Sequence, residues 1–165
     1  MTVPVPFRQF NAVVPPAWID GNGHMSARFY SLLVFDAHWV FSEAIGLGGA
    51  YIRERNLGKN IVEGHMIYER ELLLGDRIEV ASRLLAVGDK AVHVAHEVFN
   101  VDRDYRAAFW EEIDVHVDLA TRRASPFPAD VRARLEDIAA LFAPLPPLDK
   151  LGRSVRMRNG RAQKA

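Results

Sequence analysis

The sequence predicts an α+β domain in which a curved antiparallel sheet of about five strands wraps around one long central helix, with a short helix near the C-terminal end. Three observations lead there. One long stretch without Pro or Gly is apolar around most of a helical circumference, four extended segments are joined by very short links, and 165 residues leave room for one core.

The elements follow in order. Residues 7–14 mix polar and apolar side chains and stop at Pro15-Pro16, which cannot continue a ladder, so they read as a first strand. A turn rich in Gly and Asn follows, from Ala17 to Ser26. Residues 27–45 carry one apolar stripe through Phe29, Leu33, Val40 and Ala44 and a neighbouring one through Tyr30, Val34, Ala37 and Phe41. A helix apolar nearly all round is expected to be buried, with Ser26 as its N-cap and Gly46 as its stop.

Extended segments are expected at 60–72, 76–87, 90–101 and 105–119. Links such as Gly88-Asp89 and Asp102-Arg103-Asp104 are far shorter than a parallel crossover requires, so the strands run antiparallel. In the third strand Ile78, Val80, Leu84 and Ala86 are expected on one face, opposite Arg77, Glu79 and Arg83. Val131, Leu135, Ile138 and Phe142 mark a short amphipathic helix over 128–142 that ends at Pro144, Pro146 and Pro147. Residues 1–143 thus read as one domain and 144–165 as a basic, Pro-containing tail.

Composition narrows the function classes. There is no cysteine, which removes disulfides, thiolate metal sites and a thiol nucleophile together. Lys plus Arg balances Asp plus Glu at 21 each, so neither nucleic acid nor an anionic membrane is expected as a partner. Apolar runs are broken by charge well short of a membrane span, and the N-terminus lacks the pattern of a secretory signal, which points to the cytoplasm. His24, His65, His93, His96 and His116 form no helical i, i+4 pair, and no metal or other cofactor is expected. The basic tail, from Lys150 to Lys164, is expected to be a solvated terminus, the alternative being contact with phosphates.

The stretch between the first strand and the long helix carries the chemistry. Asp20, Asn22 and His24 alternate within five residues, and the following helix points its free N–H groups and positive dipole end back at them. The N–H groups of Gly23, His24 and Met25 are candidate donors to an oxyanion, and Asp20 is a candidate nucleophile or general base. The same residues would serve equally as an ordinary hydrogen-bonded turn.

Trp18-Ile19-Asp20-Gly21-Asn22-Gly23-His24-Met25, with Tyr30 six residues beyond His24, resembles the D-x-x-G-H-(V/M)-N…Y signature of the 4-hydroxybenzoyl-CoA thioesterase-like branch of hotdog-fold proteins. Further matches come in order: Tyr68-Glu69-Arg70-Glu71, Gly75-Asp76-Arg77, and residues 115–123 ahead of Pro126-Phe127-Pro128. Residues 63–70 resemble thioesterases associated with carnitine and betaine breakdown. The resemblance implies hydrolysis of an acyl-CoA, with CoA as part of the substrate and Asp20 as catalytic acid or base. It also implies a homodimer, or a dimer of dimers, with sites at the subunit interface. A similarity to the D-x-N-x-H motif of plant acyl-carrier-protein thioesterases brings Asn22 and His24 into the chemistry. Ser26 departs from the Asn common at that position.

Other candidates lie on strands. Glu63 and His65 share one face of the second strand, and Glu111 sits among Phe109, Ile113 and Val115 on what is expected to be the apolar face of the last. Asp36 is an acid on the long helix that could pair with a basic residue of a second subunit, and Trp39, Trp110 and Tyr68 could surround a quaternary ammonium acyl group. Two rival functions keep the same fold. One is hydration of an enoyl thioester, whose motif has Pro after the Asn and its His five residues past the Asp, where this chain has Gly23 and a spacing of four. The other is a non-catalytic acyl-CoA-binding module.

Overall fold

The structure is a computed structural model that describes residues 3–155. Five strands, β1 (Phe7–Val13), β2 (Leu57–Tyr68), β3 (Arg77–Val87), β4 (Ala91–Asn100) and β5 (Tyr105–Asp118), form an antiparallel sheet in the order β1-β3-β4-β5-β2. A two-residue β6 (Arg123–Ala124) pairs with the end of β5. The helices are α1 (Ala27–Ala44), α2 (Gly49–Arg55) and α3 (Ala129–Phe142). No helix is long and apolar enough to cross a membrane among the described residues.

The helix α1 crosses the concave face of the sheet. Tyr30, Leu33, Val34 and Ala37 meet Ile78, Val80, Val98 and Ala108 in one apolar cluster, while Phe41 and Ile45 meet Phe7, Leu84, Val94, Leu135 and Phe142 in another. Full burial of each large aliphatic or aromatic side chain contributes about 1.5–3 kcal/mol, so these two clusters set where the helix lies. Only one side of α1 is covered, however. Leu32, Phe35 and Trp39 are exposed, Trp39 by 51%, which corrects the expectation of a helix buried all round: within one chain the sheet and α3 cover one stripe. Ser26 occupies the N-cap position, but its side chain makes no capping bond.

Two bulges decide which side chains face the helix. In β2, Ile61 pairs with Asp114 and Glu63 with Ile113, so Val62 is the extra residue. The inward set changes there from odd (Lys59, Ile61) to even (Gly64, Met66), turning Glu63 and His65 to the convex face. In β3 the shift between Leu84 and Ala86 does the same, which is why Ala86 is exposed and not on the inner face with Ile78, Val80 and Leu84.

Besides β6, the helix α2 and the course of the chain after α3 are additional to what was expected. The helix α2 is seven residues long and ends at Asn56 in the left-handed conformation, at φ 52°. It is held by Tyr51, whose hydroxyl hydrogen-bonds His116 Nε2 at 2.8 Å. The chain after α3 runs back over the convex face. Arg83 donates to the Pro146 carbonyl, Arg106 to Asp149, and the Gly152 N–H to Glu111. Of the basic residues expected to be solvated there, Lys150 pairs with Glu69 and Asp149. Arg156, Arg158, Arg161 and Lys164 lie outside the described residues.

Candidate functional site

The loop before α1 is a closed turn. An antiparallel bridge joins Ile19 to Met25, Asp20 N–H donates to the His24 carbonyl at 3.1 Å, and Gly23 N–H donates to the Asp20 carbonyl at 3.0 Å. Gly23 has φ +80°, a conformation in which a side chain is strained. Oδ1 of Asp20 accepts the Asn22 N–H at 2.8 Å, which fixes the carboxylate in the turn and leaves Oδ2 without a partner among the described residues. Met25 N–H donates to the Leu72 carbonyl at 2.7 Å. Of the three nominated oxyanion donors, Gly23 and Met25 are therefore occupied within the chain. The His24 N–H is without an acceptor among the described residues.

His24, Met25, Ala27 and Tyr30 line a cavity of about 280 Å³ whose other wall is Tyr68, Glu69, Arg70 and Glu71. The motif and the Tyr68-Glu69-Arg70-Glu71 match thus meet across one space, although Asp20 and Asn22 are not among its lining residues. Burial pushes the Tyr30 phenol up to about 12, keeping it protonated. Tyr68 stands edge-on to it, with ring centroids 5.2 Å apart.

Glu63, His65 and Glu111 are not brought to this loop. They lie on the convex face with His93, around a cavity of about 460 Å³ roofed by residues 152–155. His93 Nε2 is 2.8 Å from Glu111 Oε1. This corrects the placement of Glu111 on a core-facing row: the row of β5 that meets α1 is the even-numbered one, and Phe109 is buried because Arg106 and the returning chain cover the other face.

That even-numbered row holds the acids the sequence reading missed. Glu112 and Asp114 are buried under α1 at the seam between the two apolar clusters. Nδ1 of His38 is 2.6 Å from Glu112 Oε1, and its Nε2 is 3.1 Å from Asp114 Oδ2. Lys59 donates to Asp114 Oδ2 at 2.6 Å and touches His38 Nε2. His96 Nε2 is 3.1 Å from Glu112 Oε1, and its Nδ1 is 2.8 Å from Ser82 Oγ. Burial opposes the His38 imidazolium, but its bonds to Asp114 and Glu112 hold its pKa above the usual value. Burial holds His96 below that value. Burial likewise opposes ionised Glu112, and the bonds from His38 and His96 outweigh it, keeping the carboxyl well below the usual range. Period two would have revealed Glu112, Asp114 and His116 together, but the apolar odd row of Phe109, Ile113 and Val115 points to the opposite assignment.

An aromatic surface adjoins this cluster. Trp110 lies edge-on to Phe35 at 5.9 Å, and its indole N–H donates to Glu112 Oε2 at 2.6 Å. Gly64 beneath it has no room for a side chain, since a Cβ there would stand 2.3 Å from the indole.

Residues 14–135 match the family model of the thioesterase-like superfamily. The chain is 30% identical over 146 residues to a betainyl-CoA thioesterase of Pseudomonas aeruginosa, covering 88% of this chain and 92% of that one. It is 31% identical over 150 residues to an L-carnitine dehydrogenase/betainyl-CoA thioesterase of Rhizobium meliloti, covering 91% of this chain but only 30% of that longer protein. Among solved structures, a hypothetical protein of Staphylococcus aureus in complex with CoA superposes with a TM-score of 0.83 at 21% identity, over 90% of this chain and 94% of that one. A 1,4-dihydroxy-2-naphthoyl-CoA thioesterase of Synechocystis gives 0.67 at 16% identity, over 78% and 95%. These likenesses show the fold that the sequence motif implied.

Proposed function

The chain belongs to the thioesterase-like superfamily, and on that premise we propose that it hydrolyses an acyl-CoA to the free acid and CoA. The observation that carries this reading is the pinned Asp20 turn inside the matched span, at the start of the helix that crosses the sheet. Asp20 attacks the thioester carbonyl or draws a proton from the attacking water. In either route the carbonyl oxygen gathers charge near the His24 N–H. Where water attacks, the proton taken by Asp20 passes to the CoA sulfur as the C–S bond breaks. Where Asp20 attacks, CoA leaves as the thiolate and water then hydrolyses the acyl-aspartyl anhydride, restoring the Asp20 carboxylate and supplying the thiolate's proton.

The acyl group is of the betainyl or carnitinyl type. Support comes from the relatives' names and from the surface of α1, where Phe35 and Trp39 flank the acid Asp36 and Trp110 stands beside Phe35. Aromatic faces with a nearby carboxylate favour a quaternary ammonium. The working unit is a homodimer. β2 is an outer strand, exposed over Asn60–Gly64, and such an edge calls for a partner. A second chain there would also cover Leu32, Phe35 and Trp39.

The test is thiol release from short, aromatic, long-chain, betainyl and carnitinyl CoA thioesters by wild type and Asp20→Asn. Release of betainyl or carnitinyl thioesters by wild type, reduced at least 100-fold in a folded variant, supports the reading. Absence of release from every member points to the hydratase or binding alternatives, and full activity of Asp20→Asn removes Asp20 from the mechanism.

A further inference from the structure

We propose that His38, His96 and Glu112 bind one divalent metal ion of the zinc class, tying α1 to β4 and β5. The three candidate donor atoms are His38 Nδ1, His96 Nε2 and Glu112 Oε1. They stand 3.2 Å (Nδ1 to Nε2), 3.1 Å (Nε2 to Oε1) and 2.6 Å (Nδ1 to Oε1) apart. Nitrogen and carboxylate ligands lie about 2.0–2.2 Å from zinc, and an ion at that distance fits above the three atoms once the Nδ1–Oε1 pair opens from 2.6 Å toward the roughly 3.4 Å of a tetrahedral edge. All three side chains are buried.

Outer partners complete the arrangement. A histidine that ligates through one nitrogen usually donates the other N–H to a carboxylate or similar acceptor. Here His38 presents Nε2 to Asp114 Oδ2 at 3.1 Å, and His96 presents Nδ1 to Ser82 Oγ at 2.8 Å. The second oxygen of Glu112 is held by the Trp110 N–H. Asp114 Oδ1 is buried with no hydrogen-bond partner, while its Oδ2 is answered by Lys59 at 2.6 Å, so the charge of this outer carboxylate is balanced within the chain.

Without an ion, the two inner nitrogens and one Glu112 oxygen are held together by hydrogen-bond contacts alone, at 3.2, 3.1 and 2.6 Å. With an ion, three lone pairs converge on one centre and each ring's proton moves to the nitrogen that already has an acceptor. The Glu112 carboxylate then faces the doubly charged ion, with Asp114, paired to Lys59, behind His38. The donors come from α1, β4 and β5, so no short sequence motif could announce the site, and the histidines weighed from the sequence include only His96 of this set. Three protein donors leave a fourth position for water.

The experiment uses tag-free full-length protein, stripped with chelator and dialysed against Zn²⁺ or Co²⁺ alone. One equivalent of bound zinc by mass spectrometry, a tetrahedral Co²⁺ absorption band and a rise in Tm on loading are expected. His96→Gln and Glu112→Gln are expected to bind at least tenfold more weakly, and His93→Gln, outside the cluster, to bind as wild type does. Wild-type protein that takes up less than a tenth of an equivalent overturns the proposal, whatever the variants do. So does binding retained in both His96→Gln and Glu112→Gln. Because the readout is metal content and not turnover, the outcome is independent of the thioesterase assay.

Discussion

The indole N–H of Trp110 meets the inward carboxylate of Glu112, two residues further along the same strand, at 2.6 Å. The contact links an aromatic side chain on the half-exposed surface to an acid in the interior, and it depends on a position with no side chain at all.

Gly64→Ala places a methyl group where the Trp110 ring now lies. Overfilling of this kind costs about 1–3 kcal/mol. Chemical denaturation is expected to report that loss together with a shifted tryptophan emission. Unchanged stability and emission would show that the indole has other room.

Lys59→Met leaves Asp114 with His38 as its one cationic neighbour among the described residues. Removing one partner of a buried pair costs about 3–5 kcal/mol, whereas replacing both with apolar groups is far milder. The double variant Lys59→Met/Asp114→Leu should therefore recover much of the loss in a urea titration. A double variant less stable than Lys59→Met would refute this account.

Gly23 and Gly21 should respond differently to alanine. Gly23 has φ +80° and Gly21 has no such constraint, and both have open space around them. Gly23→Ala is expected to cost about 1–2 kcal/mol through backbone strain and to slow turnover by distorting the Asp20 turn. Gly21→Ala should leave Tm and kcat nearly unchanged. Equal effects of the two on Tm and kcat would place the sensitivity elsewhere.

Asp149 fastens the returning chain. Its bonds with Lys150 and Arg106 hold its carboxyl down at about 2, against an ordinary 3.8. A lowered carboxyl value means stabilisation that is fully present above pH 3.8 and is lost as the pH falls through about 2. The side chain is 58% exposed, so the contribution is small and salt-sensitive. Carbon-13 titration of the carboxyl should give a midpoint near 2 in wild type and a higher one in Arg106→Gln. A wild-type midpoint at 3.8 would mean the fastening is absent in solution.

Turn and proline signals located the five long strands, and apolar spacing located α1, α3 and the inner face of the first half of β3. Periodicity alone is a weaker guide. It failed where a single inserted residue reverses parity, at Val62 and in the second half of β3. It also failed for α2, a seven-residue helix in the stretch after Gly46 where no element was expected, which depends on distant contacts such as Tyr51 with His116. The Asp20 turn was legible because its hydrogen bonds are local. Glu112, Asp114, His38 and Lys59 were not, since a buried acid reads as a surface acid until the cation that balances it is found on another strand or helix.

The bare position at Gly64 makes the rim of the sheet and its interior a single lever. Gly64 lies on an outer strand, Trp110 rests on it, and Glu112 hangs from Trp110. A side chain at Gly64 would have to displace the indole, and the carboxylate between His38 and His96 would lose the N–H that the indole gives it.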